Sequence, residues 1–154
     1  MSAATLRVTD PRTTSVSVPR LPGVDVGCDV VEVARVAGLL TRWPQARERL
    51  FTAGELAAST RDGVAPDDPA AMRRLAARFA AKEALVKLLG RPALAWTDVE
   101  ITTTPDGAPA VRIHGEATDI AVSLSHDNGT AMAVVARATA VREPVARHTT
   151  STGS

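Results

Sequence analysis

The segment 68–90 constrains the fold most, because it carries the start and stop signals of one long helix. Asp68 can serve as the N-cap, Pro69 suits the first helical position, and Gly90 ends the run. Apolar residues recur inside it at helical spacing. They are Met72, Leu75, Ala76, Phe79 and Val86. The sequence therefore predicts a long helix with one face packed against a core.

One acidic residue, Glu83, falls in the middle of this apolar stripe, and Lys87 lies at its edge one turn further on. A bare carboxylate on a packing face is costly unless it is paired or bound to a cation. Two interpretations stay open. The pair is either an exposed helix ion pair, which is worth about 0.2–0.5 kcal/mol, or Glu83 is a ligand to a cation.

Upstream, Val24, Val26, Cys28 and Val30 alternate with more polar residues, which is the pattern of a half-buried strand. We expect the apolar side, including Cys28, to be buried, with Cys28 acting as a small hydrophobic residue rather than a nucleophile. A helix is predicted to follow, from about residue 31 to 40.

Asp29 lies in this strand segment and has two interpretations. It is either the N-cap of the following helix, with Glu32 three residues later, or a second carboxylate that could meet Glu83. Two carboxylates that hold Mg²⁺, together with waters and a substrate phosphate, are typical of phosphoryl-transfer sites.

The rest of the chain predicts an α+β fold, a single domain in which one long helix packs on a small antiparallel sheet. Thr52 and Glu55 form a capping-box pattern, and residues 61–66 resemble a loop. Strands are predicted near residues 99–101, 111–113, 122–124 and 130–136, with a short helix near 115–120 and a turn at 128–129. We place the domain at 21–140, between tails at 1–20 and 141–154 that are expected to be disordered.

Composition narrows the function classes. A formal net charge of +1 and 3 % aromatic residues argue against a nucleic-acid-binding protein, since both a basic field and stacking rings are missing. The single cysteine excludes an internal disulfide and suits a reducing cytosol. The sequence has no apolar run of transmembrane length and no apolar signal segment in its first twenty residues. We therefore expect a soluble, cytoplasmic protein.

Four segments together resemble a known family. Residues 26–33 (VGCDVVEV) look like the opening signature of holo-acyl-carrier-protein synthases, and residues 78–87 (RFAAKEALVK) match their second signature almost in full. Residues 123–129 (SLSHDNG) resemble the third signature, and residues 51–56 (FTAGEL) also fit. The segments occur in the family's order and span about residues 24–137. The resemblance implies the fold of the 4′-phosphopantetheinyl transferase superfamily, in its short form.

The resemblance also implies an activity and its catalytic groups. Such enzymes move 4′-phosphopantetheine from coenzyme A to a serine of an apo carrier protein, release 3′,5′-ADP and depend on Mg²⁺. Asp29 and Glu83 would hold the Mg²⁺, and Lys87 would neutralise the diphosphate. His126 would contact the nucleotide, and Asp127 would either orient His126 or act as a base. The general base itself stays unassigned.

Further residues are implied as coenzyme contacts: Arg78, Lys82, Lys87, Gly107, Pro109, Ser125 and His126. Lys82 has a second interpretation, that of a solvated helix lysine. One departure from the family concerns the turn that contacts the nucleotide, which often reads Gly-Lys-Pro. Here it reads Gly107-Ala108-Pro109 and lacks the lysine. Either coenzyme A binds more weakly, or another cation substitutes for that lysine.

Arginines recur every seven residues after the first strand and are candidates for carrier docking: Arg35, Arg42 and Arg49. The resemblance places docking of an acidic acyl carrier protein on this helix, although Pro44 is expected to interrupt it. It also implies a homotrimer with active sites between subunits. The net charge of +1 predicts no nucleic-acid or membrane partner. Whether the carrier serves fatty-acid, polyketide or peptide synthesis stays open.

Two rival interpretations remain at this point. One is a non-catalytic family member that binds coenzyme A or a carrier protein without transferring anything, and the altered turn at residues 107–109 is its only support. The other is a nucleic-acid-binding α+β domain that uses the arginines, which the composition disfavours.

Overall fold

A computed structural model describes residues 23–90, 94–127 and 129–139. It contains four α-helices: α1 (Val33–Arg42), α2 (Ala46–Leu50), α3 (Ala53–Ser59) and α4 (Pro69–Leu89). It also contains six strands: β1 (Val24–Glu32), β2 (Val99–Thr103), β3 (Pro109–Ile113), β4 (Glu116–Ala117), β5 (Ala121–Asp127) and β6 (Thr130–Ala138). The predicted tails, 1–20 and 141–154, lie outside the described residues.

The strands form two antiparallel sheets, one in the order β1-β6-β5 and the other in the order β2-β3-β4. Helix α4 packs across the first sheet and also contacts α1, α3 and β2. The predicted α+β class, with one long helix on an antiparallel sheet, is confirmed. None of the described helices is long and apolar enough to cross a membrane.

Helix α4 begins and ends where the sequence signals predict. The Asp68 carboxylate accepts a hydrogen bond from the Ala70 amide at 2.7 Å, and Gly90 ends the helix in the left-handed region. The face against the first sheet is rich in alanine, because small side chains let the helix and the strands approach closely. These residues are fully or nearly fully buried: Ala76, Ala80, Ala81 and Ala84 on the helix, and Ala131 and Ala133 on β6.

A buried ion pair joins α4 to α3. The Lys82 ammonium lies 2.7 Å from the Glu55 carboxylate, and both side chains are almost fully buried. Lys82 also donates to the carbonyl oxygens of Leu50 and Trp96, while Glu55 accepts from the Ile101 amide and from the Thr52 amide of the predicted capping box. Burial lowers the pKa of Lys82, and the Glu55 carboxylate opposes that shift. The prediction of a solvated Lys82 is therefore wrong.

The predicted burial of β1 is reversed. Val26 and Val30 are 55 % and 58 % exposed, and Cys28 is exposed as well, whereas Gly27 on the other side faces α4. The alternation is right, but the expectation that Cys28 is buried is wrong. The side of β1 that meets the backbone of α4 has to carry the smallest residue, which is Gly27. Val26 and Val30 therefore project away from the helix.

Two further predictions of local structure are wrong. Residues 115–120 form no helix, because His114 and Gly115 both adopt positive φ, at 50° and 81°, and make the two-residue hairpin turn between β3 and β4. Asp29 is not a helix N-cap, because β1 continues to Glu32 and the helix begins after it. The predicted turn at 128–129 includes residue 128, which lies outside the described residues.

We predict that Lys82→Met destabilises the fold by about 3–5 kcal/mol, because it leaves the Glu55 carboxylate buried without its cation. The free energy of unfolding from a urea titration measures the effect. Arg73→Met is the matched control, since Arg73 is exposed on the same helix and should change stability little. Adding Glu55→Gln to Lys82→Met should restore part of the loss. If Lys82→Met and Arg73→Met lowered the free energy of unfolding equally, the structural role of the Glu55–Lys82 ion pair would be contradicted.

Candidate active site

Strand β1 meets helix α4 backbone to backbone at Gly27. A Cβ atom at this position would lie 2.2 Å from the Ala84 carbonyl oxygen and 3.0 Å from the Leu88 amide nitrogen. No residue other than glycine fits at such a distance. The contact brings the following residues of β1 alongside the last two turns of α4.

Asp29, two residues after this contact, reaches the helix with its side chain. The Lys87 ammonium lies 2.6 Å from the Asp29 carboxylate and donates at 2.9 Å to the Cys28 carbonyl oxygen. The hydrogen bond to Asp29 raises the pKa of Lys87, and the nearby Glu83 carboxylate adds to the rise. The structure thus gathers two carboxylates and one ammonium in a single cluster, which we call the Asp29 cluster (Asp29, Glu83, Lys87).

The side chains of the Asp29 cluster can supply only some of the ligands that a hard divalent cation needs. No set of three or more His, Cys, Asp or Glu side chains among the described residues could hold a metal ion. Two carboxylates are nevertheless the usual protein contribution to a Mg²⁺ site, since Mg²⁺ keeps several waters and takes substrate phosphates as its other ligands. The Asp29 side chain is only 16 % exposed, so its carboxylate is largely shielded from solvent.

A second feature is a cleft of about 320 Å³ between the first half of α4, the β2–β3 hairpin and β5. Four predicted coenzyme contacts line it: Arg78, Gly107, Pro109 and His126. Two lining arginines, Arg61 and Arg74, were not predicted. Arg74 could have been predicted as a cleft residue, because it precedes Arg78 by one helical turn. Arg61 belongs to a loop without periodicity, so no sequence signal indicated it.

Arg78 is the most buried cation of this cleft, at 7 % exposure. One of its terminal nitrogens donates to the Arg74 carbonyl oxygen at 3.0 Å, while its Nε is buried without a hydrogen-bond partner. Burial lowers the pKa of Arg78; Glu55 opposes this, and the neighbouring Arg61 and Arg74 lower it further. Guanidinium groups crowded in this way favour a bound anion.

The other predicted site residues lie elsewhere. Lys82 uses its ammonium protons inside the fold and does not line the cleft. Ser125 is also absent from the cleft lining. His126 and Asp127 are consecutive residues of β5 and project to opposite faces of the sheet, and the predicted role of Asp127, to orient His126 or to act as a base, stays a prediction.

A groove of about 510 Å³ runs along α1 and is lined by two of the three predicted docking arginines, Arg35 and Arg42. Leu39 and Trp43, which is 50 % exposed, give it an apolar floor. Arg49 lies on α2, beyond the break at residues 43–45, and does not line the groove. Of the three arginines predicted to dock the carrier, Arg35 and Arg42 thus share one groove, and docking by any of the three stays a prediction.

Comparison with known proteins identifies the class. Residues 25–139 match the family described as the 4′-phosphopantetheinyl transferase superfamily. The match extends over most of the chain, from β1 to the last residue described, and the chain belongs to this superfamily.

Relatives within the superfamily narrow the class to one enzyme. The holo-[acyl-carrier-protein] synthase of Salinispora arenicola is 46 % identical over 122 residues, which are 73 % of this chain and 95 % of the relative. The enzyme of the same name from Streptomyces griseus is 43 % identical over 124 residues, with coverages of 73 % and 95 %. The predicted family, holo-acyl-carrier-protein synthases, is confirmed.

Solved structures agree with these relatives. The holo-(acyl-carrier-protein) synthase of Bacillus anthracis, in complex with CoA (3′,5′-ADP), superimposes with a TM-score of 0.64 at 26 % identity and covers 78 % of this chain and 100 % of that one. The acyl carrier protein synthase of Mycobacterium tuberculosis gives a TM-score of 0.54 at 30 % identity, with coverages of 76 % and 100 %.

We predict that Gly27→Ala destabilises the protein by about 1–3 kcal/mol, since the new methyl group must push β1 away from α4. Thermal unfolding measures this loss. Gly38→Ala is the control, because a Cβ at this exposed position in α1 would meet nothing within 4 Å. That substitution should leave stability equal or slightly higher. A Gly27→Ala protein as stable as the Gly38→Ala protein would contradict the backbone contact.

Proposed function

We propose that this chain transfers the 4′-phosphopantetheine group of coenzyme A to a serine of an apo acyl carrier protein, with release of 3′,5′-ADP and dependence on Mg²⁺. The observation that carries the proposal is the Asp29 cluster. A strand carboxylate and a helix ammonium lie 2.6 Å apart, and the Glu83 carboxylate, one turn earlier on the helix, helps to raise the pKa of that ammonium. The chain belongs to the phosphopantetheinyl transferase superfamily.

The reaction needs little covalent chemistry from the protein. The serine hydroxyl oxygen forms a bond to the β-phosphorus, the bond from that phosphorus to the bridging oxygen breaks, and 3′,5′-ADP leaves with the electron pair. The serine proton passes to a base that remains unassigned. Positioning and neutralisation of the diphosphate supply most of the rate. Lys87, exposed beside Asp29, can turn its ammonium from that carboxylate to a phosphate oxygen.

Asp29 and Glu83 would hold the Mg²⁺ proposed here. When bound, the ion would neutralise charge on the diphosphate that the two carboxylates alone would repel. The Lys87 ammonium donates a hydrogen bond to Asp29, and this bond raises the pKa of Lys87. Lys87 therefore stays protonated through the pH range in which a carrier serine would react.

The cleft beside Arg78 is the proposed nucleotide site. Glu83 and Arg78 are five residues apart, which is about 7.5 Å of rise along α4. A diphosphate at the Asp29 cluster and a nucleotide in the cleft can therefore belong to one ligand. His126 and the Gly107–Pro109 turn would bound the nucleotide from the sheet side.

The groove on α1 is the proposed docking site of the carrier protein. Its lining combines two cations, Arg35 and Arg42, with the exposed apolar side chains of Leu39 and Trp43. An acidic amphipathic helix offers the complementary chemistry, carboxylates for the arginines and an apolar stripe for the groove floor. The pathway that the carrier serves, and the predicted cytoplasmic location, stay predictions.

Self-association into a trimer is part of the proposal. The side of the β1-β6-β5 sheet that faces away from α4 exposes large apolar residues: Val24, Val26, Val30 and Met132. Cys28 lies among them, paired across the sheet with Val134. Such a surface favours burial against another copy of the chain, and the sheet that carries it also carries Asp29. This supports sites placed close to subunit boundaries.

Intact-mass spectrometry of an apo carrier protein tests the activity directly. Incubation with this chain, coenzyme A and Mg²⁺ should add one phosphopantetheine mass to the carrier. A carrier with its serine replaced by alanine should stay unmodified. If several apo carriers bind the chain and none gains mass, the non-catalytic alternative replaces the proposal.

We predict that Asp29→Asn and Glu83→Gln each lower the transfer rate roughly a hundredfold or more, because each removes a charge that holds the cation. Circular dichroism should show both variants folded. Glu32→Gln is the matched control, since Glu32 is an exposed carboxylate at the end of the same strand, without a side-chain capping bond. Normal turnover of either site variant at saturating Mg²⁺ would contradict the metal site.

We predict that Arg35→Glu raises KM for the carrier and leaves the affinity for coenzyme A unchanged, since the two substrates use different surfaces. The carrier KM of the wild type should also rise with salt, because exposed charges are screened beyond about 8 Å at 0.15 M ionic strength. Arg49→Glu serves as the control outside the groove. Equal effects of Arg35→Glu and Arg49→Glu on carrier KM would contradict docking at α1.

A further inference from the structure

Two residues that line the groove on α1 adjoin the proposed metal ligands along the chain. Val31 follows Asp29 by two residues on β1, and Phe79 precedes Glu83 by one turn of α4. Of the described residues that line the groove, Phe79 alone belongs to α4. The groove and the Asp29 cluster are therefore neighbours, which a carrier serine has to find if it is to reach the diphosphate.

The ring of Phe79 is stacked against the indole of Trp96. The ring centroids lie 5.2 Å apart and the planes are 8° from parallel. Both side chains are half-buried. A half-exposed phenylalanine on a helix has more than one open rotamer, and a parallel ring at this distance favours the rotamer that keeps the stack. Trp96 therefore determines the orientation in which Phe79 meets the groove.

Trp96 itself stands behind Phe79 and does not line the groove. It lines a second cavity of about 110 Å³, together with apolar side chains of α4 and of the segment before β2. These are Leu85, Val86, Leu89, Leu94 and Val99. The influence of Trp96 on the groove is thus indirect, through the ring of Phe79.

The backbone of Trp96 is fixed at several points. Its carbonyl oxygen accepts a hydrogen bond from the buried Lys82 ammonium at 2.7 Å. Trp96 begins a single 3₁₀ turn, in which the Asp98 carboxylate accepts from the Ala95 amide at 2.7 Å. The carbonyl oxygen of Asp98 accepts from the His114 amide, also at 2.7 Å. The indole is therefore presented to α4 from a turn that is tied both to the helix and to the β3–β4 hairpin.

We propose that Trp96 is a positioning residue for carrier docking, because its indole holds the Phe79 ring in the orientation that the groove on α1 requires. The inference rests on the proposed function and adds to the docking site a residue that does not touch the carrier. Trp96 does not line the nucleotide cleft either. Its effect should therefore be confined to the carrier.

Steady-state kinetics of Trp96 variants test the proposal. Trp96→Leu keeps an apolar side chain but removes the ring, and should raise the carrier KM roughly three- to tenfold, the loss expected for one stacked aromatic pair. The kcat at saturating carrier and the KM for coenzyme A should stay unchanged. Trp96→Phe restores a ring and should restore the carrier KM. Leu94→Ala is the matched control, since Leu94 lines the same cavity and not the groove, and should keep the wild-type carrier KM.

A double-variant comparison shows whether Trp96 acts through Phe79. Phe79→Leu should raise the carrier KM, and Phe79→Leu combined with Trp96→Leu should have the same carrier KM as Phe79→Leu alone. Additive increases in the two variants, or an unchanged carrier KM in Trp96→Leu, would overturn the positioning role and leave the transferase activity standing. If carriers bind but none is modified, the proposed function is overturned. The carrier Kd from calorimetry then replaces KM, and equal Kd values for wild type and Trp96→Leu would overturn the positioning role.

Tryptophan fluorescence decides the proposal if Trp96→Leu does not fold by circular dichroism. The sequence contains two tryptophans, so Trp43→Phe leaves Trp96 as the only one. Its emission should change when an apo carrier binds, and the change should be smaller when Phe79→Leu is added. An emission that stays constant while calorimetry shows the carrier to be bound would overturn the proposal.

Discussion

The contact between the backbones of β1 and α4 at Gly27 is the constraint on which the site depends. With a carbonyl oxygen 2.2 Å from the place of a Cβ, only glycine allows it. The alanine-rich face of α4 and the alanines of β6 continue the same close approach. Asp29 then lies within hydrogen-bonding distance of Lys87 without any loop to position it. The geometry of the Asp29 cluster is therefore set by packing between two rigid elements.

Helix α4 carries two lysines in opposite environments. Lys82 is almost fully buried, where Glu55 and two carbonyl oxygens satisfy its ammonium and burial lowers its pKa. Lys87, five residues later, is 54 % exposed and has a raised pKa beside Asp29. The buried pair holds α3 and the β2 strand against α4. The exposed pair leaves the Lys87 ammonium accessible from solvent.

Local signals predicted much of the fold because capping and periodicity act over a few residues. Asp68, Gly90 and the Thr52–Glu55 capping box all behave as predicted. Periodicity identified the strand around Cys28 but predicted the wrong buried face, because tertiary packing decides which face of a strand is buried. Similarly, the spacing of residues 82–87 could not show that Lys82 is buried against α3. The Asp29–Lys87 contact joins residues 58 apart and was not predicted. The family resemblance assigned both residues to one site without pairing them.

The most direct test of the account is the position of a divalent cation in a crystal of the protein with Mn²⁺ and coenzyme A. Anomalous scattering locates Mn²⁺ unambiguously and so reports which side chains bind it. We predict one Mn²⁺ bound by both the Asp29 and Glu83 carboxylates and by diphosphate oxygens, with the Lys87 ammonium moved from Asp29 to a phosphate. A Mn²⁺ ion held away from either carboxylate, with the Asp29–Lys87 pair intact, would contradict it.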